Sequence, residues 1–347
     1  MGGGGLIILA DLTNATRRGK NHRELLINKL DGLAGPCSWV GHRHDLNTYV
    51  AYDNGERHEA FLRSAKLRWP AVRWVDLQAR GLWSATPEKI ASSIHRKSVH
   101  AVSFDIGYRL MCDFWVHGVW KLAAAEGLEH IVRIDTDSNL PCGERASAAG
   151  RAVKLLSLMR EHNLSYGFYH RNWESPDFAI GFNAAARRHV ESARLSLANT
   201  FGGYTTFGSR EKGSGKIFEL GRSDYEPARF FYNNVEVARV SHFQRPDVQA
   251  FTRAIRRSGG IFRHRWGDAI VRYMQVALFA RPEEVRCLTS ELLAYCHAGC
   301  CVGLTGDDGN EAVCCDPCLQ RAIVRKQIPS WVDAEGCCLG MKESCYR

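Results

Sequence analysis

His130-Ile131-Val132-Arg133-Ile134-Asp135-Thr136-Asp137-Ser138 is the stretch on which the fold of this chain turns. It opens as a short apolar run of strand length and closes on two acids one residue apart. In open α/β sheets, ligands bind beyond the carboxyl ends of the strands. Two carboxylates held there can seat a divalent cation against a diphosphate. Mg²⁺ and Mn²⁺ prefer oxygen ligands, and substrate phosphates complete their shell. Such a pair serves more often as a turn or a helix cap, so the rest of the chain must decide.

Around this stretch, strands and helices alternate. Residues 6–10, 72–77, 130–134, 166–169 and 230–237 read as strands. Leu25, Leu26, Leu30 and Leu33 give 22–33 a helical spacing, and Tyr108, Met111, Trp115, Val119 and Leu122 do the same for 104–126. Further helices are expected over 153–162, 178–195, 246–258 and 266–279, with a turn at Gly259-Gly260. The alternation predicts an α/β fold, a single Rossmann-like domain with a mostly parallel mixed sheet flanked by helices. Residues 1–286 form that domain in this reading, and 287–347 a cysteine-rich C-terminal segment packed on it. Residues 201–221, rich in Gly, Ser and Thr, read as a mobile loop or insertion.

The 347 residues are 45% hydrophobic and 24% charged, which excludes disorder as a description of the whole. The net charge of +9 suits an acidic partner such as a phosphate or a membrane surface. No apolar run approaches the roughly 20 residues of a membrane span. The start lacks the basic and apolar regions of a signal peptide, and residues 1–5 read as a flexible leader. Ten of the 13 cysteines fall between Cys287 and Cys345. Disulfides in an oxidising compartment or zinc in a reducing one would account for them, the doubled cysteines favouring disulfides. Asn14-Ala15-Thr16 and Asn163-Leu164-Ser165 match the glycan-acceptor triplet.

Further motifs stand in order along the chain: Tyr108-Arg109-Leu110-Met111-Cys112-Asp113-Phe114, Asn233-Asn234-Val235-Glu236-Val237-Ala238-Arg239, Ser258-Gly259-Gly260-Ile261-Phe262 and Arg265-Trp266-Gly267-Asp268-Ala269. Each has a bland reading: core contacts for Tyr108 and Met111, a solvated helix residue for Glu236, a helix entry for Asp268, surface pairing for Arg265 and Arg272. A lone His297 between cysteines is ordinarily structural or zinc-linked.

Taken in sequence order, these motifs resemble the fungal-type glycolipid 2-α-mannosyltransferases, glycosyltransferase family 15, over roughly residues 100 to 300. That family carries Tyr-Arg-x-Met-Cys-Arg-Phe, Arg-Val-Glu-Pro-Asp, Asn-Phe-Glu-Ile-Ala-Arg, and Ser-Gly-Gly-Phe running into Arg-Trp-Gly-Asp-Ala-Pro. The resemblance implies a GT-A type fold and retaining transfer of mannose from GDP-mannose with Mn²⁺ (or Mg²⁺). It implies metal ligands at Asp135, Asp137 and His297, a nucleotide-sugar site at Tyr108 and Arg109 beside the two aspartates, a nucleophile at Glu236, and Asp268 near the acceptor. An oligosaccharide, glycoprotein or glycolipid would be the acceptor, and the Golgi lumen the location. The chemistry is consistent with this. An oxocarbenium-like state needs a carboxylate beneath the ring, the departing diphosphate needs a cation, and an acceptor hydroxyl needs a base.

Departures from the pattern are Asp-Thr-Asp for Glu-Pro-Asp, and Ala269-Ile270-Val271-Arg272 for Ala-Pro-Val-His. Three rivals remain: another donor such as a UDP-sugar, a saccharide-binding pseudoenzyme, and a zinc-containing nucleic-acid-binding protein. The favoured reading has no nucleic-acid partner.

Overall fold

The computed structural model of the chain describes residues 3–12, 16–17, 20–34, 46–83, 106–139, 148–204, 225, 227–288, 295–297, 300–302 and 338–339. Among its strands, in chain order, are β1 (Gly4–Ala10), β2 (Leu46–Tyr52), β3 (Val72–Asp76), β4 (His130–Ile134), β5 (Tyr166–Phe168), β6 (His170–Glu174), β7 (Ala228–Phe231), β8 (Val235–Arg239) and β9 (Val285–Cys287). Seven of them make one sheet in the order β9-β5-β8-β4-β1-β2-β3. All its pairings are parallel except those of β8, which runs antiparallel to both β4 and β5. The expected α/β architecture with a mostly parallel mixed sheet is what the chain adopts.

Helices α1 (His22–Ala34), α2 (Glu59–Arg68), α3 (Ile106–Asp113), α4 (Val119–Ala125), α5 (Ala148–Glu161), α6 (Phe182–Ser192), α7 (Pro246–Ser258) and α8 (Asp268–Ala277) cover both faces. Strand alternation explains the two layers, because successive side chains point to opposite faces. Leu6, Ile8, Val132 and Ile134 pack with Leu26 and Leu30 of α1 and with Leu155 and Met159 of α5. Ile7 and Ile131 pack with Trp115, Val119, Trp120, and Ile270 and Val271 of α8.

Four details depart from the sequence reading. Residues 4 and 5 are buried strand rather than leader. A side chain at Gly5 would press on the end of the Leu128 side chain, which would have to shift to make room. The strand expected over 230–237 is two. Tyr232-Asn233-Asn234 breaks it, β7 pairs antiparallel with β6 in a separate three-stranded sheet, and β8 enters the main sheet. The helix over 104–126 is α3 and α4 joined by a wide turn at Phe114–Gly118, where the Val119 N–H donates to Phe114 O five residues back. Strand β2 was not foreseen. Its Tyr49, Val50 and Ala51 are buried on both faces, so they give no alternation to read.

Most of 201–221 and most of 287–347 lie outside the described residues. Within the latter, Tyr295–His297 pairs with Ser138–Asn139, and Cys338–Leu339 pairs with β6. No helix among the described residues is long and apolar enough to cross a membrane.

Candidate active site

Arg133 sits between Val132 and Ile134 inside a buried strand and is itself buried. A charge so placed must be paired, and Arg133 is paired three ways. Its Nε donates to Asp135 Oδ1 at 2.9 Å, its Nη1 donates to Asp268 Oδ2, and Glu236 Oε1 lies 3.9 Å from Nη1. The guanidinium lies over the Trp115 ring, 4.1 Å from its centroid. Burial works against its charge, but Asp135, Asp268 and Glu236 outweigh that penalty and hold Arg133 ionised well above its usual range.

Three elements deliver these acids to one place. Asp135 follows β4 at the carboxyl edge of the sheet. Glu236 lies directly opposite Arg133 in the β8–β4 register. Asp268 is the first residue of α8, where the helix dipole favours a negative charge. The two asparagines of the 232–234 break serve the cluster: Asn233 Nδ2 donates to Asp268 at 2.8 Å and Asn234 Nδ2 to Asp135 at 2.8 Å. Desolvation raises the Asp135 carboxyl despite Arg133 beside it. For Asp268, desolvation is outweighed by Arg133 and by the Asn233 hydrogen bond, so its carboxyl is held below the usual range.

Glu236 is a wholly buried strand residue, not a solvated helix residue. Tyr166 Oη donates to its Oε2 at 2.6 Å, and Arg272 donates to Oε2 at 3.0 Å and to Oε1 at 3.3 Å. Arg272 is not a surface cation either. It is buried over the rings of Trp120 and Phe243, and its Nη2 donates to Trp115 O at 2.8 Å. That carbonyl belongs to the wide turn at Phe114–Gly118, as does Val116 O, which accepts from Gln275 Nε2 at 3.4 Å. Wide turns of this kind recur at functional sites.

A second set flanks the cluster. Arg265 Nη2 donates to Tyr108 Oη at 2.9 Å and Nη1 to Glu174 Oε2 at 3.2 Å, while its guanidinium packs over the Tyr108 and Phe178 rings. Arg265 does so from a left-handed backbone, φ 62°, a conformation costing about 1–3 kcal/mol that recurs at ligand clamps. It too is buried, against the expectation of a surface pair. Arg109 is fully buried and donates to Phe262 O at 2.6 Å, tying α3 to the Gly260–Arg263 turn behind Tyr108.

Asp135 and Asp137 offer the oxygen donors that Mg²⁺ and Mn²⁺ prefer, and both are partly exposed at the sheet edge. Among the described residues, no group of three or more His, Cys, Asp or Glu side chains is arranged to hold a metal ion. The side chain of His297 lies outside the described residues, but its backbone pairs with Ser138, one residue after Asp137.

Sequence reasoning passed over Arg133, Tyr166, Glu174 and both asparagines as site residues. For Arg133 the signal was present: one charge within an apolar strand.

The sequence pattern of the glycolipid 2-alpha-mannosyltransferase family matches residues 82–318. A probable mannosyltransferase, KTR2 of Saccharomyces cerevisiae, is 24% identical over 194 residues, 55% of this chain and 43% of that protein. The chain thus spans less than half the length of that curated relative. The crystal structure of core-mannan synthase A (CmsA/Ktr4) from Aspergillus fumigatus in its Mn/GDP form aligns with a TM-score of 0.60 at 19% identity, covering 86% of this chain and 75% of that one. Ktr4p from S. cerevisiae in complex with GDP aligns with a TM-score of 0.64 at 14% identity, covering 90% of this chain and 75% of that one. These likenesses show the fold, the GT-A type fold of those mannosyltransferases.

Proposed function

The chain belongs to the glycolipid 2-alpha-mannosyltransferase family, and we propose that it is a metal-dependent retaining transferase moving α-mannose from GDP-mannose to a saccharide hydroxyl. The observation that carries this reading is the convergence of Asp135, Asp268 and Glu236 on the single guanidinium of Arg133. All three acids lie at positions of the family motifs, and chain segments far apart in sequence bring them together at the ligand-binding edge of an α/β sheet.

In this reading Asp135 and Asp137, with His297, hold Mn²⁺. When bound, the ion offsets the charge that develops on the diphosphate. Tyr108, fixed by Arg265, lines the donor site, and Arg109 braces its helix from behind. Glu236, with both oxygens accepting hydrogen bonds, is held as a fixed negative charge beneath the reacting sugar. Its burial favours stabilising a developing cation over attack upon it. Asp268, kept ionised by Arg133 and Asn233, is the group to accept the proton of the acceptor hydroxyl. An oligosaccharide, glycoprotein or glycolipid is the acceptor class.

The segment 287–347 belongs to the same unit, a reading supported by its strand pairings to Ser138–Asn139 and to β6. Disulfide bonding of the segment's cysteines is supported by Cys287, which is disulfide-bonded, and a Golgi lumen location is supported by the family. The test is a panel of nucleotide sugars incubated with Mn²⁺ and a mannoside acceptor, and repeated with chelator. Metal-dependent transfer from GDP-mannose alone supports the reading. Transfer only from a UDP-sugar, or none from any donor, overturns it.

A further inference from the structure

The triplet Asn163-Leu164-Ser165 matches the glycan-acceptor pattern, and the transferase reading gives it no part. Its local structure singles out the asparagine. The Asn163 N–H donates to Arg160 O at 3.1 Å and the Leu164 N–H to Met159 O at 2.8 Å. These are the paired bonds of a Schellman cap on α5, with Asn163 in its left-handed position at φ 52°. Leu164 packs with Met159 in the core, while Asn163 is exposed. The cap uses backbone groups alone, so it accounts for an asparagine at 163 but not for a hydroxyl two residues on.

The turn lies at the sheet edge opposite the candidate active site. β4 and β5 both run antiparallel to β8 and are therefore parallel to each other. Asp135 follows β4, whereas Asn163 and Ser165 precede β5. Arg160, near the end of α5, donates through Nε to Glu129, the residue just before β4, at 3.0 Å. The length of β4, about 16 Å of strand, thus separates this edge from the acids. A bulky polar group on Asn163 meets solvent and leaves the donor and acceptor sites open.

Ser165 sets when the triplet can be reached. It is 2% exposed. Its N–H donates to Glu284 O at 2.7 Å, and its carbonyl accepts from the Arg239 N–H at 3.0 Å. Both partners come later in the chain, so the serine is open only until β8 and β9 dock beside β5.

We propose that Asn163 carries an N-linked glycan, attached before β5 is enclosed. The inference rests on the luminal location proposed above, and the disulfide at Cys287 is in keeping with an oxidising compartment. The co-reactant is a lipid-diphosphate-linked oligosaccharide. A bond forms between Asn163 Nδ2 and the anomeric carbon of its first sugar, while the bond from that carbon to the diphosphate oxygen breaks. The amide gives up one proton to solvent, and the lipid diphosphate leaves with the electron pair. Nothing is oxidised or reduced.

The test carries the whole chain into the secretory pathway of a eukaryotic cell with an added signal sequence. Peptides of the purified protein are then read by mass spectrometry before and after peptide N-glycosidase. Site-resolved reading keeps Asn163 separate from the second triplet, Asn14-Ala15-Thr16. The expected result is a glycan on Asn163 that is lost in Asn163→Gly and in Ser165→Ala. Glycine suits the left-handed cap position, so Asn163→Gly should keep the wild-type thermal midpoint. The folded, bare chain should take no glycan from the same lipid donor and its transferase, and acceptance by it would contradict the timing. Bare Asn163 on the folded, secreted wild type overturns this assignment alone. Fractionation that finds the natural chain wholly in the cytosol overturns the luminal location and this assignment together.

Discussion

Arg133 and Glu236 face each other across the β4–β8 ladder, their nearest charged atoms 3.9 Å apart, and neither side chain reaches solvent. Three further pairs complete the arrangement, Arg133 with Asp135, Arg133 with Asp268 and Arg272 with Glu236. Buried ions of this kind cost desolvation, and their attraction offsets it only while every partner is present. The cluster is accordingly the place where folding and the proposed catalysis are most tightly linked.

Removing Arg133 would leave the acids without their shared cation. Arg133→Met is expected to destabilise the protein by about 3–5 kcal/mol, the range for breaking one side of a buried pair. Urea unfolding should show a lower midpoint with an unchanged slope.

Glu236→Gln keeps the shape and the ability to accept from Tyr166 and Arg272, but removes the charge. A fall in kcat of about 10²–10³ is expected, the loss typical of one preorganised electrostatic group. GDP affinity should stay near wild type. Steady-state kinetics and GDP titration on the same preparation check both. Unchanged kcat contradicts the role given to Glu236.

Tyr108→Phe removes the hydroxyl that Arg265 holds at 2.9 Å. A hydrogen bond with a charged donor contributes about 1.5–3 kcal/mol. The donor KM is expected to rise by roughly tenfold, with the thermal midpoint lowered by only a few degrees. Donor saturation curves for the two proteins decide it.

Acid should weaken the fold before it titrates most carboxylates. Burial lowers His130 and His242 from 6.5 to about 4, so the folded protein holds them neutral. Between pH 6.5 and 4 the unfolded chain binds these protons and the folded chain does not. Stability therefore falls as pH falls through that window, by up to about 3 kcal/mol for each histidine. Replacing His242 with Gln should flatten part of the slope when the thermal midpoint is followed from pH 7 to pH 4.

Much of this architecture could be read from the chain before its structure. The strand His130–Ile134 and helix Pro246–Ser258 have the expected bounds, because both are bordered by sharp signals: acids after one, a proline opening and Gly259 closing the other. The split of 230–237 was harder to see. Phe230, Phe231 and Tyr232 read as continuous strand, and only the tertiary demand of Asp135 and Asp268 for two amide donors shows why Asn233 and Asn234 stand there. The acids were legible through motif order. Their counter-ions were not: Arg133 and Arg272 look like ordinary charges until the sheet and α8 bury them.

The most direct test of the central claim is mannose transfer from GDP-mannose to a mannoside acceptor, measured with Mn²⁺ and again after chelation, in the wild type and in Asp135→Asn. An α-linked product that depends on the metal and is lost in the variant is expected. An inverted linkage, or transfer that is equal with and without chelator and survives Asp135→Asn, would contradict it.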